Sequence, residues 1–104
     1  MIIITGSVLT NPDNREAIEA ESIAHCRRSL AEPGCIAHAV HTDIENPDWL
    51  VFVEKWADAG ALLTHFAVPE SGAFIRAISA LSTEPPSMEI YQADEIKPAD
   101  LRDQ

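Results

Sequence analysis

The most hydrophobic stretch of the chain is Trp49-Leu50-Val51-Phe52-Val53-Glu54-Lys55-Trp56. Its aromatic and β-branched residues predict a β-strand. Because successive side chains of a strand point to opposite faces, its apolar side chains divide into two sets: Trp49, Val51 and Val53 on one face, and Leu50, Phe52 and Trp56 on the other. An antiparallel sheet covered on one side normally keeps its other face polar. This stretch therefore predicts a sheet that needs cover on both sides.

Three further segments have the character of strands. Residues 2–9 are rich in β-branched side chains. Residues 35–42 predict a second strand, which the acidic turn at residues 43–48 joins to the 49–56 strand as a hairpin. Residues 87–96 alternate weakly between apolar and polar side chains and predict the last strand.

The segments between these strands predict helices. Asn11-Pro12-Asp13 signals the start of a helix at about residues 13–31. Asp58 is the expected cap of a short helix at about residues 59–66, and a proline opens another helix at residues 69–81. In the first helix, the apolar side chains that we expect to pack on the sheet are Ala20, Ile23, Ala24, Leu30 and Ala31.

The predicted order of elements is β-α-β-β-α-β, with the second helix in two pieces. This order is typical of the α+β class and of the ferredoxin-like fold, a four-stranded antiparallel sheet with helices on one face. We expect one domain, residues 1–96, followed by a polar C-terminal tail, residues 97–104.

Two apolar faces also predict self-association. The first strand, like the third, is apolar on both sides, with Ile2, Ile4 and Val8 on one face and Ile3 and Leu9 on the other. Helices can cover only one face, and monomers avoid large exposed apolar patches. We therefore expect a homodimer formed sheet to sheet, since two-fold symmetry is the commonest arrangement.

Composition excludes several classes of partner. Seventeen acidic and seven basic residues give a net charge of −10, which argues against binding to nucleic acid or to anionic membranes. No apolar run approaches the roughly 20 residues of a membrane helix, and residues 1–10 have the character of a strand rather than of a signal peptide. Cys26 and Cys35 form no C-x-x-C motif, so reduced thiols and a cytoplasmic location are expected.

Cofactor motifs are absent from the sequence. The four glycines are scattered and form no phosphate-binding loop. His38 and His41 are three apart on a strand, so they point to opposite faces and are not expected to share a metal ion. We expect both, and His25 in the first helix, to be surface or interface residues. No metal site or cofactor is predicted.

A polar set remains on the predicted inner face. Glu54 and Trp56 share a face with Phe52, and His65 is in helical register with Leu62 and Phe66. Buried polar groups need hydrogen-bond partners. These residues alone favour a satisfied core, in which Glu54 and His65 bond each other or the backbone, over an active site.

The sequence also resembles the antibiotic biosynthesis monooxygenase family of dimeric α/β barrels, over about residues 2–96. The matching features are Pro33-Gly34-Cys35 at the start of the second strand, the acidic turn, Glu54-x-Trp56, His65, and Tyr91 in the last strand. The resemblance implies a sheet-to-sheet dimer. It also implies oxidation of an electron-rich phenolic, quinol or anthrone-like small molecule with O₂ and without metal or flavin.

The resemblance also implies roles for residues. His65 would be the base or oxyanion partner, Trp56 a wall of the cavity, and Glu54 the group that orients His65. Tyr91 would be a further donor to the substrate. The remaining substrate-binding residues would be Phe52, Leu62 and Phe66.

Other functions remain open at this point. Haem-degrading relatives use an asparagine in the first strand, where this chain has Thr5, Gly6 and Ser7, which argues against haem degradation. The alternatives are a non-catalytic small-molecule-binding or stress-related dimer, and an isomerase or decarboxylase of small phenolics.

Overall fold

Four strands and three α-helices form the protein in a computed structural model that describes residues 1–104. In chain order they are β1 (Ile2–Leu9), α1 (Arg15–Leu30), β2 (Cys35–Thr42), β3 (Trp49–Trp56), α2 (Ala59–Ala67), α3 (Pro69–Leu81) and β4 (Ser87–Gln92). The predicted order β-α-β-β-α-β is confirmed. Strand β4 ends four residues earlier than predicted, and Pro98–Asp103 in the tail form a 3-10 helix with no buried side chain.

The strands form one antiparallel sheet in the order β2-β3-β1-β4. In the central pair, the register runs from Ile2 opposite Trp56 to Leu9 opposite Trp49. This is the ferredoxin-like arrangement that the element order predicts, and the sheet is open rather than closed into a barrel. None of the helices has both the length and the apolar character needed to cross a bilayer.

One face of the sheet packs under the helices and forms the core. Its side chains from β1 and β3 are buried, as alternation predicts: Ile2, Ile4, Val8, Leu50, Phe52 and Trp56. Against them pack Ile18 of α1, Leu62 of α2, and Phe74 and Ile78 of α3. Burying a side chain of this size contributes roughly 1.5–3 kcal/mol to folding, so this face accounts for most of the hydrophobic stabilisation.

The other face, which we call the open face, has no helix on it. Its apolar side chains are half-buried by their neighbours in the sheet: Ile3, Leu9, Trp49, Val51 and Val53. Tyr91 of β4 pairs with Ile3 on this face and is exposed, whereas the exposed Met88 and Ile90 of β4 lie on the helix side of the sheet, opposite Gly6 and Ile4. The single chain therefore leaves the apolar surface that the two-faced strands predicted.

A β-bulge at the start of β2 sets which residues of that strand face the helices. Cys35 lies opposite Trp56 and Ala37 opposite Lys55, so Ile36 is the extra residue. The next pair, His38 opposite Glu54, is on the helix-covered face. The bulge follows Gly34, whose φ of +80° few other residues adopt readily.

The packing face of α1 differs from the prediction. Its buried residues are Ile18, Ser22, His25, Cys26 and Ser29. The prediction that the apolar stripe of this helix faces the sheet was wrong. Ile23 and Leu30 are 41% and 52% exposed, and the alanines of the stripe are exposed too: Ala20, Ala24 and Ala31. The sheet-facing side consists mainly of small and polar side chains.

The helix boundaries follow local capping. Asn11 accepts the backbone N–H groups of Asp13 and Asn14, so a turn occupies the first residues of the predicted helix and α1 begins at Arg15. Asp58 accepts the N–H of Ala61 and caps α2, as predicted. Helix α3 has the predicted bounds and opens with Pro69.

Candidate active site

A cavity of about 380 Å³ lies between the helix-covered face of the sheet and α3. Most of its wall is apolar, contributed by β1, β3, α3 and the start of β4: Ile4, Val8, Phe52, Phe74, Ile78 and Met88. Phe66 of α2 also contributes. Ligand sites in proteins have volumes of roughly 300–1,000 Å³ and mainly apolar walls with a few polar groups, so this cavity is large enough for a small ligand.

Ionisable side chains gather at one end of the cavity. His25, Glu54 and His65 all line it and are 5%, 9% and 3% exposed. Nδ1 of His65 lies 2.8 Å from Oε1 of Glu32, and the hydroxyl of Ser71 is 3.5 Å from the same nitrogen. The partner of His65 is thus Glu32, which lies in the turn between α1 and β2.

Glu54 is held by a different pair of residues. Its Oε1 accepts the indole N–H of Trp56 at 3.0 Å, and Nε2 of His38 is 3.2 Å away. Burial acts to raise the pKa of Glu54, but the contacts with His38 and Trp56 and the proximity of His65 outweigh it, so the pKa lies below its ordinary value. Glu54 is therefore an ionised carboxylate, and the predicted Glu54–His65 hydrogen bond is absent from the structure.

Two histidines predicted as surface or interface residues lie inside the protein, under the helices. His25 and His38 are 5% and 3% exposed, so that prediction was wrong for both. His38 points inward because the β2 bulge places it opposite Glu54, and His25 because α1 packs by its polar side. His41 is exposed and on the face opposite His38, as alternation predicts.

The three buried histidines contact one another and nearby aromatic rings. The ring centroids of His25 lie 5.0 Å from His38 and 5.3 Å from His65. His25 stacks on Phe74 at 4.0 Å, and His65 lies 4.5 Å from Trp56. Sequence reasoning found His65 here and missed His25, His38 and Glu32.

Burial changes the acid–base properties of this cluster. Desolvation, together with the neighbouring His38 and His65, lowers the pKa of His25 from 6.5 to about 3, so the ring is neutral at physiological pH. Desolvation, with the charge of Glu54, raises the pKa of Cys26 to about 11. Cys26 is therefore a protonated thiol and a poor nucleophile.

The predicted substrate-binding residues divide between three locations. Phe52 and Phe66 line the cavity. Leu62 lies behind it, packed with Ile2 and Ile4, and Trp56 is fully buried beside His65 rather than forming part of the wall. Tyr91 pairs with Ile3 on the open face and is 52% exposed, so its expected place in the cavity was wrong.

The fold and the cavity define the chain as a ferredoxin-like α+β protein with a ligand-sized cavity under its sheet. The chain belongs to the antibiotic biosynthesis monooxygenase family, whose sequence model matches residues 1–77. The matched part contains the histidine cluster, Glu54 and Trp56. The resemblance noted from the sequence is thereby confirmed.

Individual relatives agree with this assignment. An uncharacterized protein of Synechocystis is 30% identical over 94 residues, a match that covers 90% of this chain and 64% of that protein. The chain thus spans less than two-thirds of the length of that curated relative. A solved structure from Deinococcus radiodurans, provisionally named an antibiotic biosynthesis monooxygenase, has a TM-score of 0.88 at 24% identity, covering 93% of this chain and 96% of that one.

A conserved protein from Methanosarcina mazei Go1 has a TM-score of 0.84 at 22% identity, covering 89% of this chain and 92% of that one. Identities this low establish the shared fold and leave activity to be inferred from the site.

Proposed function

We propose that this protein is a cofactor-independent monooxygenase that oxidises an electron-rich phenolic, quinol or anthrone-like small molecule with O₂. The observation that supports this best is the apolar cavity of about 380 Å³ that ends in His65, His25 and Glu54. A polycyclic phenol would fill the apolar part and present its hydroxyl to the ionisable end. Family membership supports a monooxygenase-like scaffold.

His65 is the base in this proposal. Its Nδ1 is 2.8 Å from the Glu32 carboxylate, which accepts the Nδ1–H and leaves Nε2 as the free acceptor of the ring. Once His65 takes the phenolic proton, the ionised Glu54 nearby stabilises the imidazolium. Glu32 is a positioning residue because it holds the tautomer and orientation of His65 without reaching the cavity wall.

The reaction balances without an added reductant. A phenolate is electron-rich enough to reduce O₂ directly, so deprotonation starts the reaction. In an anthrone-like substrate, the methylene carbon becomes a carbonyl and gains one oxygen atom. The second oxygen atom leaves as water with the two methylene hydrogens, so the four electrons that O₂ takes up all come from the substrate.

Oxygen uptake by EDTA-treated protein with a panel of anthrones and quinols tests the proposal. We expect uptake with at least one substrate, and a loss of about 100-fold or more in kcat/KM for His65→Ala, the usual range for removing a general base. His41→Ala is the matched control, because His41 is exposed on the other face. Full turnover by the His65→Ala protein would exclude the proposed role.

The same assay distinguishes the alternatives. Tight binding of these compounds without oxidation would indicate a small-molecule-binding or stress-related protein. Product formed at the same rate under anaerobic conditions would indicate an isomerase or decarboxylase, because only an oxygenase consumes O₂.

We also propose that the protein is a homodimer that associates through its open face, without nucleic acid or membrane partners. The half-buried apolar side chains of β1 and β3 on this face support it, as does the exposed Tyr91 of β4, which lies on the same face. The two free thiols support a reducing compartment such as the cytoplasm.

A further inference from the structure

Three buried histidines converge from three different elements. His25 comes from α1, His38 from β2 and His65 from α2. One ring nitrogen of each lies within 4.8 Å of the corresponding nitrogens of the other two. Imidazoles are ligands that zinc, copper, nickel and iron accept, and three of them with an open position are typical of catalytic zinc sites.

One of these rings, His65, is held as metal ligands usually are, and His38 has a weaker sulfur partner in the same position. A ligating histidine typically donates its other ring N–H to a carboxylate, a backbone carbonyl or water. Nδ1 of His65 contacts Oε1 of Glu32 at 2.8 Å, and Nδ1 of His38 contacts Sγ of Cys26 at 3.2 Å. In both rings, Nε2 is the nitrogen left for a ligand.

His38 supplies an independent sign of a missing ligand. Its side chain is completely buried, and its Nε2 has no hydrogen-bond partner. Oε1 of Glu54 is 3.2 Å from this nitrogen, close enough for an ion pair but outside hydrogen-bond geometry. The contact with the ionised Glu54 satisfies this buried nitrogen only in part, and coordination to a cation would complete it.

We propose that His25, His38 and His65 form a binding site for one divalent transition-metal ion of the zinc class. At zinc–nitrogen distances of about 2.0–2.1 Å, a tetrahedral ion holds its nitrogens about 3.4 Å apart, so nitrogens that lie within 4.8 Å of one another need to approach by at most about 1.4 Å to bind it. The Glu54 carboxylate beside His38 offsets part of the charge of the ion. Because His25 and His65 line the cavity, the open coordination position faces it.

This inference does not rest on the proposed monooxygenase function. A metal ion on Nε2 of His65 removes the lone pair that the base needs. Zinc binding is therefore expected to inhibit the metal-independent reaction rather than to support it. His65 either binds the ion or acts as the base, and it does not do both at once.

Titration of tag-free, EDTA-treated protein with ZnCl₂ tests the site. We expect one Zn²⁺ per chain by calorimetry and a melting temperature that rises with Zn²⁺ concentration. Mg²⁺ should have no such effect, because it prefers oxygen ligands in octahedral geometry. No binding at one ion per chain would overturn the proposal.

Matched variants locate the ion. His25→Phe, which keeps the stacking on Phe74, and His38→Gln should each weaken Zn²⁺ binding by at least about tenfold. The His41→Gln protein should bind Zn²⁺ as the wild type does. Glu32→Gln should weaken binding by about 10- to 100-fold, the usual effect of losing a supporting carboxylate, whereas Glu45→Gln in the exposed turn should not. Equal affinity in all five variants would overturn the site.

A measurement on the wild-type protein covers the case in which a buried variant fails to fold. In NMR spectra of the imidazole nitrogens, Zn²⁺ should shift His25, His38 and His65 and leave His41 unchanged. Oxygen uptake without Zn²⁺ binding would overturn this inference and leave the monooxygenase proposal intact. Zn²⁺ binding without oxygen uptake, in both the metal-free and the Zn²⁺-loaded protein, would support this inference and exclude the monooxygenase proposal.

Discussion

Glu54 illustrates how this protein retains a charged group in its core. The carboxylate is 9% exposed, and the indole N–H of Trp56 is its hydrogen-bond donor. Trp56 is itself fully buried and lies against His65. One side chain thus partners the buried carboxylate and packs beneath the proposed base, so the site depends on a residue that does not line the cavity.

The role of the Trp56 N–H can be tested by Trp56→Phe. The variant keeps an aromatic ring in the core but leaves Glu54 without its indole donor, which should lower the free energy of unfolding by about 1–3 kcal/mol. Urea denaturation followed by circular dichroism measures this. Phe66→Leu, at a 45% exposed position on α2 away from the open face, is the control and should change stability less. Equal effects of the two substitutions would contradict the role of the hydrogen bond.

At the level of elements, the junction between α1 and β2 determines the site. Gly34 adopts a φ of +80°, and its carbonyl accepts the N–H of Ala57 at 2.8 Å. The bulge that follows places His38 under the helices, and Glu32 just before it reaches His65. A turn of a few residues thus positions two of the side chains around the histidine cluster.

Gly34→Ala should therefore destabilise the protein by about 1–3 kcal/mol. A Cβ at this position would lie 2.5 Å from the Cβ of Ala61, which adds overpacking to the cost of a left-handed backbone. Gly60→Ala is the control, and it is expected to raise stability rather than lower it. Gly60 has no positive φ, and an added Cβ would make only an ordinary contact with Asp58, so the substitution should stabilise α2 by up to about 1 kcal/mol. Thermal unfolding measures both, and a neutral Gly34→Ala would contradict the tight fit.

At the scale of the whole molecule, the sheet divides the protein into two surfaces with different tasks. The helix-covered face holds the core and the cavity, whereas the open face and β4 leave apolar side chains accessible. Covering the open face with a second copy would remove this surface from water, which is the main driving force of association. The proposed dimer thus rests on the same strand composition that sets the fold.

Val53→Glu tests the dimer. Val53 lies between Thr5 and Ala39 in the middle of the open face, and a buried unpaired charge there should shift the protein from dimer to monomer. Light scattering should then report 11.4 kDa for the variant and twice that mass for the wild type. Leu63→Glu, at a 68% exposed position on α2, should remain dimeric. A wild-type mass of 11.4 kDa at micromolar concentration would exclude the dimer.

The sequence by itself determined the elements and the two-faced strands. The predicted bounds of β2, β3 and α3 agree with the structure, and the inward set of β3 is correct. These features are local: alternation, caps and turn residues act over a few neighbours along the chain. One part of the site was accessible in the same way, because helical register places His65 on the inner side of α2.

Only the tertiary structure decided which other side chains share the cavity. His25 and His38 depend on the side by which α1 packs and on a bulge in β2, and Glu32 reaches His65 across 33 positions of sequence. Tyr91 faces away from the cavity because of the register between β4 and β1. Helix rotation, bulges and strand register are settled by contacts between distant segments, and residue spacing along the chain carries no record of them.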